Sequence, residues 1–114
     1  MTGLEGPYQL QRDTVDQWVS RASPGTYAMG ESDPEGFHIR YIGRSDSDVA
    51  VRIRELVGFY PEFQFAYFNT ANAAFEKECQ LFHEFGKSLD TRLHPSRSAY
   101  SNWRCPYCGL FDYY

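Results

Sequence analysis

One short stretch of this chain, residues 40–54, places aromatic and basic side chains around a predicted turn. Tyr41 ends a predicted strand, Arg44 follows the glycine of the turn, and Arg52 lies about one to two turns into the next predicted helix. A second tyrosine, Tyr27, opens an apolar run upstream. A guanidinium binds phosphate oxygens in a fork and keeps its charge at any working pH. Tyrosines and arginines brought together on a sheet therefore indicate chemistry on phosphate esters.

A carboxylate on a later helix completes this set. Cleavage of a phosphodiester requires charge stabilisation on the phosphate oxygens, an activated water and usually a divalent ion. Mg²⁺ keeps several of its waters and takes few protein ligands, so a single glutamate can hold it. Glu76 and Glu78 are the two candidates on the predicted helix. Half-buried strand tyrosines and solvated arginines would explain the same residue types without any chemistry.

The elements that must position these residues follow from hydrophobic periodicity and turn residues. Two strands, 26–29 and 37–42, are predicted to pair as an antiparallel hairpin with a long loop. The remaining predicted elements, in chain order, are a helix over 15–21, a helix over 49–57 capped by Asp46 or Asp48, a strand over 63–68 and a helix over 73–85. This order predicts an α+β fold in which a three-stranded antiparallel sheet is flanked by helices.

The length of the chain bounds its organisation. At 114 residues it is one domain with a single core. We divide it into an N-terminal lead-in and helix over 1–24, a core over 25–86, and a cysteine-bearing tail over 87–114 that packs on the core.

Composition restricts the classes of function. The net charge of −4 argues against a protein that coats nucleic acid through bulk positive charge. A local basic cleft around Arg44 and Arg52 would still favour nucleic acid, whereas uniformly negative potential there would count against it. No run of about 18 apolar residues is present, and residues 1–11 lack a basic region followed by an apolar one. We therefore expect no membrane partner and a cytoplasmic location.

The cysteines predict a second, separate site. Cys105 and Cys108 form a C-x-x-C, which in a cytosolic chain indicates metal or redox chemistry. A tetrahedral zinc site needs two further ligands, and Cys79 and His83 share one helix face because they are four residues apart. We predict a structural Zn²⁺ bound by these four residues, with His94 as the alternative fourth ligand. A buried Cys79, a solvated His83 and a reduced C-x-x-C form the competing interpretation.

The pattern of motifs is more specific than the residue types. Gly25-Thr26-Tyr27, then Tyr41-Ile42-Gly43, then Arg52 and Glu78 on successive helices, resembles the GIY-YIG nuclease superfamily. The first motif has threonine where the family name has isoleucine, which is a variable position. The resemblance covers residues 25–85, more than half of the chain, and implies a small standalone member with a zinc-knuckle-like tail. It implies a metal-dependent endonuclease whose partner is DNA, with RNA as the alternative.

The resemblance also implies a role for each residue of the site. Tyr27 or Tyr41 would orient or deprotonate the attacking water. Arg52 would stabilise the pentacovalent phosphate, with Arg44 assisting at the turn. Glu78 would bind one Mg²⁺ or Mn²⁺. Glu78 is preferred to Glu76 because apolar residues follow it at helical spacing, as they follow the glutamate of the family.

Two features depart from the family pattern. The gap between the tyrosine motifs is longer than in typical members. The family asparagine, about a dozen residues after the glutamate, has no counterpart in residues 89–92, and Asn102 lies further along. The alternative function is therefore a catalytically weak or inactive module of the same fold that binds nucleic acid or a protein. A zinc-stabilised structural domain is the third hypothesis.

Overall fold

The computed structural model describes residues 2–112 and shows an α+β domain. Within this range the elements are β1 (Glu5–Gln9), α1 (Arg12–Trp18), β2 (Gly25–Asp33), β3 (Gly36–Ser45), α2 (Val49–Glu55), β4 (Glu62–Tyr67) and α3 (Ala71–Phe85), followed by a 3₁₀ turn (Gly86–Ser88).

The sheet has four strands among the described residues, and the prediction of three was wrong. The strand order is β1-β4-β2-β3, with every neighbouring pair antiparallel. The additional strand is β1, which the prediction treated as a loose lead-in because Gly6 and Pro7 interrupt any alternating pattern. It pairs with β4 across an irregular register. A buried hydrogen bond of 2.6 Å from Thr2 Oγ1 to Gln64 Oε1 adds to this attachment.

The hairpin of β2 and β3 is longer than predicted. Gly30 to Asp33 continue β2, and the connection shrinks to Pro34 and Glu35. The Asp33 carboxylate accepts the backbone N–H of Glu35 at 2.8 Å, and Gly36 takes a positive φ of 129°. This tight turn therefore replaces the expected long loop, because aspartate and glycine supply the turn geometry that the two strands need.

Helices cover both faces of the sheet. α1 and α2 cover one face, where Val15 and Ile53 meet the strand residues Met29, Phe63 and Phe65 in one buried cluster. α3 covers the other face, where Leu81 meets Ala28 and Ile42. Asp48, rather than Asp46, caps α2 by accepting the N–H of Ala50. No helix within residues 2–112 is long and apolar enough to cross a membrane.

The tail packs on α3 through an aromatic and cysteine cluster. Phe75 and Cys79 of α3 are buried with Cys105, and Trp103 and Phe111 pack against them. Near its start the tail also passes the outer edge of β3, where the Asp90 N–H donates to the Arg40 carbonyl at 2.7 Å.

Candidate active site and candidate metal centre

A cleft of about 720 Å³ opens where the end of β3 meets α2 and α3. All five residues predicted for the catalytic site line it: Tyr27, Tyr41, Arg44, Arg52 and Glu78. Glu76, the competing carboxylate, is exposed on α3 and is not among the described residues that line the cleft. Asn102 is likewise exposed and does not line it.

The two tyrosines lie on the same face of the hairpin. Tyr27 is opposite Gly43, and Tyr41 is opposite Met29, two residues further along β2. Because side chains alternate between faces along a strand, this register puts both rings on one side. The ring centroids are 6.3 Å apart, and Tyr41 also stacks on Tyr60 at 6.1 Å.

Gly43 permits the close approach of Tyr27. A Cβ on Gly43 would collide with the hydroxyl end of the Tyr27 ring. The glycine of the Tyr-Ile-Gly motif thus provides space for a side chain from the neighbouring strand. Tyr27 is only 5% exposed, and this burial, followed by nearby Tyr41 and Glu78, raises the pKa of its phenol well above the ordinary value. At neutral pH the phenol is therefore a neutral hydrogen-bonding group.

Arg44 reaches the cleft from the opposite face of the sheet. It pairs with Thr26 and so points toward α3, where its Nη1 donates to Glu78 Oε1 at 2.8 Å. Its Nε donates to Asp46 Oδ1, also at 2.8 Å. The guanidinium carbon lies 5.1 Å from the centroid of the Phe75 ring. The tyrosines and this ion pair thus come from different faces and meet at the end of the edge strand.

Burial and pairing act in opposite directions on the charges of this ion pair. The side chains of Arg44 and Glu78 are 11% and 12% exposed. Burial raises the pKa of Glu78 despite the opposing effect of Arg44. Burial by itself would lower the pKa of Arg44, but the hydrogen bonds to Glu78 and Asp46 outweigh it and raise that pKa. Glu78 is therefore a carboxylate whose negative charge is poorly solvated and depends on a cation beside it.

Arg52 is held far less firmly than Arg44. Its side chain is 59% exposed, and its Nη1 donates to Glu55 within the same helix at 3.3 Å. An exposed pair of this kind contributes about 0.3–0.5 kcal/mol. Arg52 can therefore turn toward a ligand in the cleft at little cost.

The cleft contains more acidic than basic side chains. Its two arginines face four carboxylates, those of Asp46, Asp48, Glu55 and Glu78. When all are ionised the formal charge is −2, which does not match the uniformly basic cleft that would bind nucleic acid by charge alone. A phosphate would therefore need an added cation to enter.

A second group of side chains can bind a metal such as zinc. The ligand atoms of His83, His94, Cys105 and Cys108 all lie within 4.8 Å of one another. Cys105 Sγ is 3.3 Å from His83 Nε2, and Cys108 Sγ is 3.4 Å from His94 Nε2. Zinc bound tetrahedrally by sulfur and nitrogen would place such pairs about 3.5 Å apart. Two imidazoles and two thiols thus fit the size and chemistry of a closed zinc site.

The fourth member of this group is His94, the alternative ligand, and not Cys79. Cys79 is fully buried, and burial followed by neighbouring Cys105 raises the pKa of its thiol. It is not among the described residues whose ligand atoms lie within 4.8 Å of one another, so it lies behind the group and not in it. Sequence favoured Cys79 because it is one helical turn from His83. His94 lies in a segment without helix or strand, where the spacing of residues does not predict which side chains lie together.

Surrounding polar groups orient these side chains. His94 Nδ1 lies 2.8 Å from the Pro95 carbonyl oxygen, which can only accept, so Nδ1 carries the proton and donates it. The other ring nitrogen, Nε2, is then unprotonated and faces Cys108 with its lone pair. The Tyr107 N–H donates to Cys105 Sγ at 3.4 Å. Burial, and then the nearby His94, lowers the pKa of His83. A lowered pKa keeps this imidazole neutral, which is the form that binds metal.

Comparison of the chain with models of protein families, with curated proteins and with solved structures yields no match.

Proposed function

We propose that the chain is a metal-dependent endonuclease of the GIY-YIG type that hydrolyses phosphodiester bonds in DNA. The observation that carries this proposal is the cleft itself: two tyrosines, two arginines and one buried glutamate line the same space of about 720 Å³. These groups come from β2, β3, α2 and α3, and a purely structural domain has no need to gather them.

A divalent ion at Glu78 fits the electrostatics of the cleft. The formal charge of −2 and the poorly solvated Glu78 carboxylate both favour a dication. Mg²⁺ or Mn²⁺ there would neutralise phosphate oxygens and assist the departure of the leaving oxygen. Glu78 is the one residue that we assign to holding it.

The protein groups then share the remaining tasks. Arg52, exposed and weakly held, would turn onto the phosphate and stabilise the charge that develops in the transition state. Tyr27 would orient the attacking water through its neutral hydroxyl, and the less buried Tyr41 beside it, acting as its phenolate, would take the proton. Arg44 would exchange Glu78 for a phosphate oxygen when substrate enters.

The His₂Cys₂ group would hold a structural Zn²⁺. Its four protein ligands leave no open position for water, so this ion would support the tail rather than take part in hydrolysis.

One observation favours a second candidate, a module of the same fold that binds without cleaving. The Arg44 guanidinium already donates to one of the two Glu78 oxygens, so its positive charge lies where it would repel a metal ion. If substrate does not displace it, this repulsion would weaken binding of the ion.

Cleavage of a panel of DNA substrates with Mg²⁺ or Mn²⁺ tests the proposal. The panel includes duplex, single-stranded, flap and branched DNA, and wild type is compared with Glu78→Ala. Glu76→Ala is the matched control because it removes an exposed carboxylate from the same helix. We expect cleavage by wild type and by the control, and none by Glu78→Ala. Equal cleavage by all three would remove Glu78 from the site, and no cleavage with retained DNA binding would favour the second candidate.

A further inference from the structure

The segment between two of the zinc-site residues forms part of the wall of the cleft. We call residues 95–104, which run from His94 to Cys105, the strap. The strap contains no helix or strand, so its course depends on its two ends and on the contacts of its side chains. Both ends join directly to members of the His₂Cys₂ group.

The strap contacts the residues that hold Arg44. Ser96 lines the cleft, and the Ser98 hydroxyl donates to the Asp46 carboxylate. Asp46 is itself the acceptor of the Arg44 Nε–H. The Trp103 ring lies 5.5 Å from the Arg44 guanidinium carbon. Arg44 is therefore held by strap residues on two sides, directly by a ring and indirectly through a carboxylate.

Contacts within the strap join these two points. Arg97 Nη1 donates to the Trp103 carbonyl at 3.0 Å, and the Ser101 N–H donates to the Ser98 carbonyl at 3.1 Å. Ser98 and Trp103 thus belong to one folded loop. A displacement at either end of that loop moves both contacts with the cleft.

We infer that zinc bound by His83, His94, Cys105 and Cys108 sets the position of Arg44 in the cleft by fixing both ends of the strap. His83 lies on α3, the helix that also carries Glu78. One ion therefore ties the strap to the helix of the proposed metal ligand. Without zinc the core sheet and helices remain, but the strap leaves the cleft, Arg44 loses its contact with Trp103, and Asp46 loses its hydrogen bond from Ser98. The functional consequence rests on the proposed nuclease, whereas the structural coupling does not.

Fluorescence of Trp103 tests this inference directly. The sequence has two tryptophans, and Trp18 lies apart, stacked on Tyr8 at 4.7 Å. Trp18→Phe therefore leaves Trp103 as the single reporter. Zinc content, far-UV circular dichroism, Trp103 emission and quenching by acrylamide are measured before and after zinc chelation, without Mg²⁺ or Mn²⁺. Zinc is then added back.

We expect the purified protein to contain one equivalent of zinc. Chelation should shift Trp103 emission to the red and strengthen its quenching by acrylamide, while the dichroism spectrum stays unchanged. Added zinc should restore the original emission and quenching. His94→Ala in the same background should weaken zinc binding by more than about 100-fold, since loss of an outer-shell partner alone costs about 10- to 100-fold. His38 is a partly exposed strand histidine outside the group, so His38→Ala should behave as the parent protein.

Three results would overturn the inference. A protein that binds no zinc has no such site. A protein that binds zinc but shows unchanged Trp103 emission after chelation has a strap that does not depend on the ion. Loss of the dichroism spectrum together with the emission shift means that zinc supports the whole domain. None of these readouts involves DNA, so the nuclease proposal stands or falls separately.

Discussion

Arg44 Nη1 and Glu78 Oε1 are 2.8 Å apart and largely buried, so the carboxylate proposed to bind a divalent ion already has a cation beside it. The pair joins the end of an edge strand to the middle of α3. In the proposed nuclease, substrate and metal binding would therefore be coupled, because a phosphate that attracts Arg44 would make Glu78 available.

Removing the Arg44 charge should strengthen metal binding and weaken cleavage. Arg44→Met should raise Mn²⁺ affinity by about 10- to 150-fold, because a charge-assisted hydrogen bond contributes about 1.5–3 kcal/mol and about 1.4 kcal/mol is a factor of ten. Mn²⁺ titration followed by electron paramagnetic resonance measures the affinity. Arg52→Met, which removes an arginine that does not contact Glu78, should leave the affinity close to wild type. Weaker Mn²⁺ binding in Arg44→Met would contradict the competition.

Metal binding should depend on pH through Glu78. Burial raises the pKa of this carboxyl, and only the ionised form binds a cation. Mn²⁺ affinity should therefore fall as pH falls through this raised pKa, starting at a higher pH than for an exposed glutamate. Glu78→Gln should abolish both the tight binding and its pH dependence. If Mn²⁺ affinity instead stays constant as the pH is lowered, until the pH reaches the ordinary pKa of a glutamate, then burial does not raise the pKa of Glu78.

The two tyrosines should differ in their pH behaviour. Burial keeps Tyr27 protonated, so Tyr27→Phe should slow cleavage and leave the shape of the pH–rate profile unchanged. Tyr41→Phe should slow cleavage by about 100-fold or more, as expected for loss of a group that takes a proton in the transition state. Tyr67→Phe, outside the cleft lining, is the control. If Tyr27→Phe instead removed the rise of the cleavage rate with pH, Tyr27 would be the base.

A methyl group at Gly43 should displace Tyr27. Gly43→Ala puts Cβ into the Tyr27 ring, and overpacking of this kind costs about 1–3 kcal/mol. Gly86→Ala is the matched control, because nothing lies within 4 Å of its Cβ and its backbone is helical. It should be neutral or stabilise by about 0.4–1 kcal/mol. Chemical denaturation measures both, and equal stability of the two variants would show that Tyr27 does not depend on the space at Gly43.

Zinc content should separate the two sets of candidate ligands. Cys108→Ala should lose zinc and have a lower melting temperature, because a metal that binds only the folded chain adds its binding free energy to the free energy of unfolding. Cys79→Ala should retain zinc, since this residue lies outside the group, and should lower the melting temperature only through lost packing. Loss of zinc from Cys79→Ala would restore the Cys₃His set expected from sequence.

Local patterns predicted the parts of the fold that depend on local physics. The α3 helix and the α2 cap at Asp48 follow from periodicity and capping, and the register of Tyr27 and Tyr41 follows from strand alternation. The parts that were missed depend on contacts between distant residues. β1 is a strand because β4 lies beside it, not because its own sequence alternates.

The same reason explains which site residues were missed. The sequence predicts Asp46 only as a possible cap, because its partners Arg44 and Ser98 are brought to it by the turn and the tail. His94 and Ser98 lie in a segment without periodicity, and only the path of the tail brings them to their sites. Side chains on regular elements could be placed from spacing, and those on the strap could not.

The bond between the Asp90 N–H and the Arg40 carbonyl has a consequence for solubility. β3 is an outer strand, and its free backbone groups could otherwise pair with a strand of another molecule. The chain that follows α3 covers this edge. A protein truncated after Ser88 would lose that cover with the rest of the tail, and we expect it to aggregate through strand-to-strand association even though every strand of the sheet is still present.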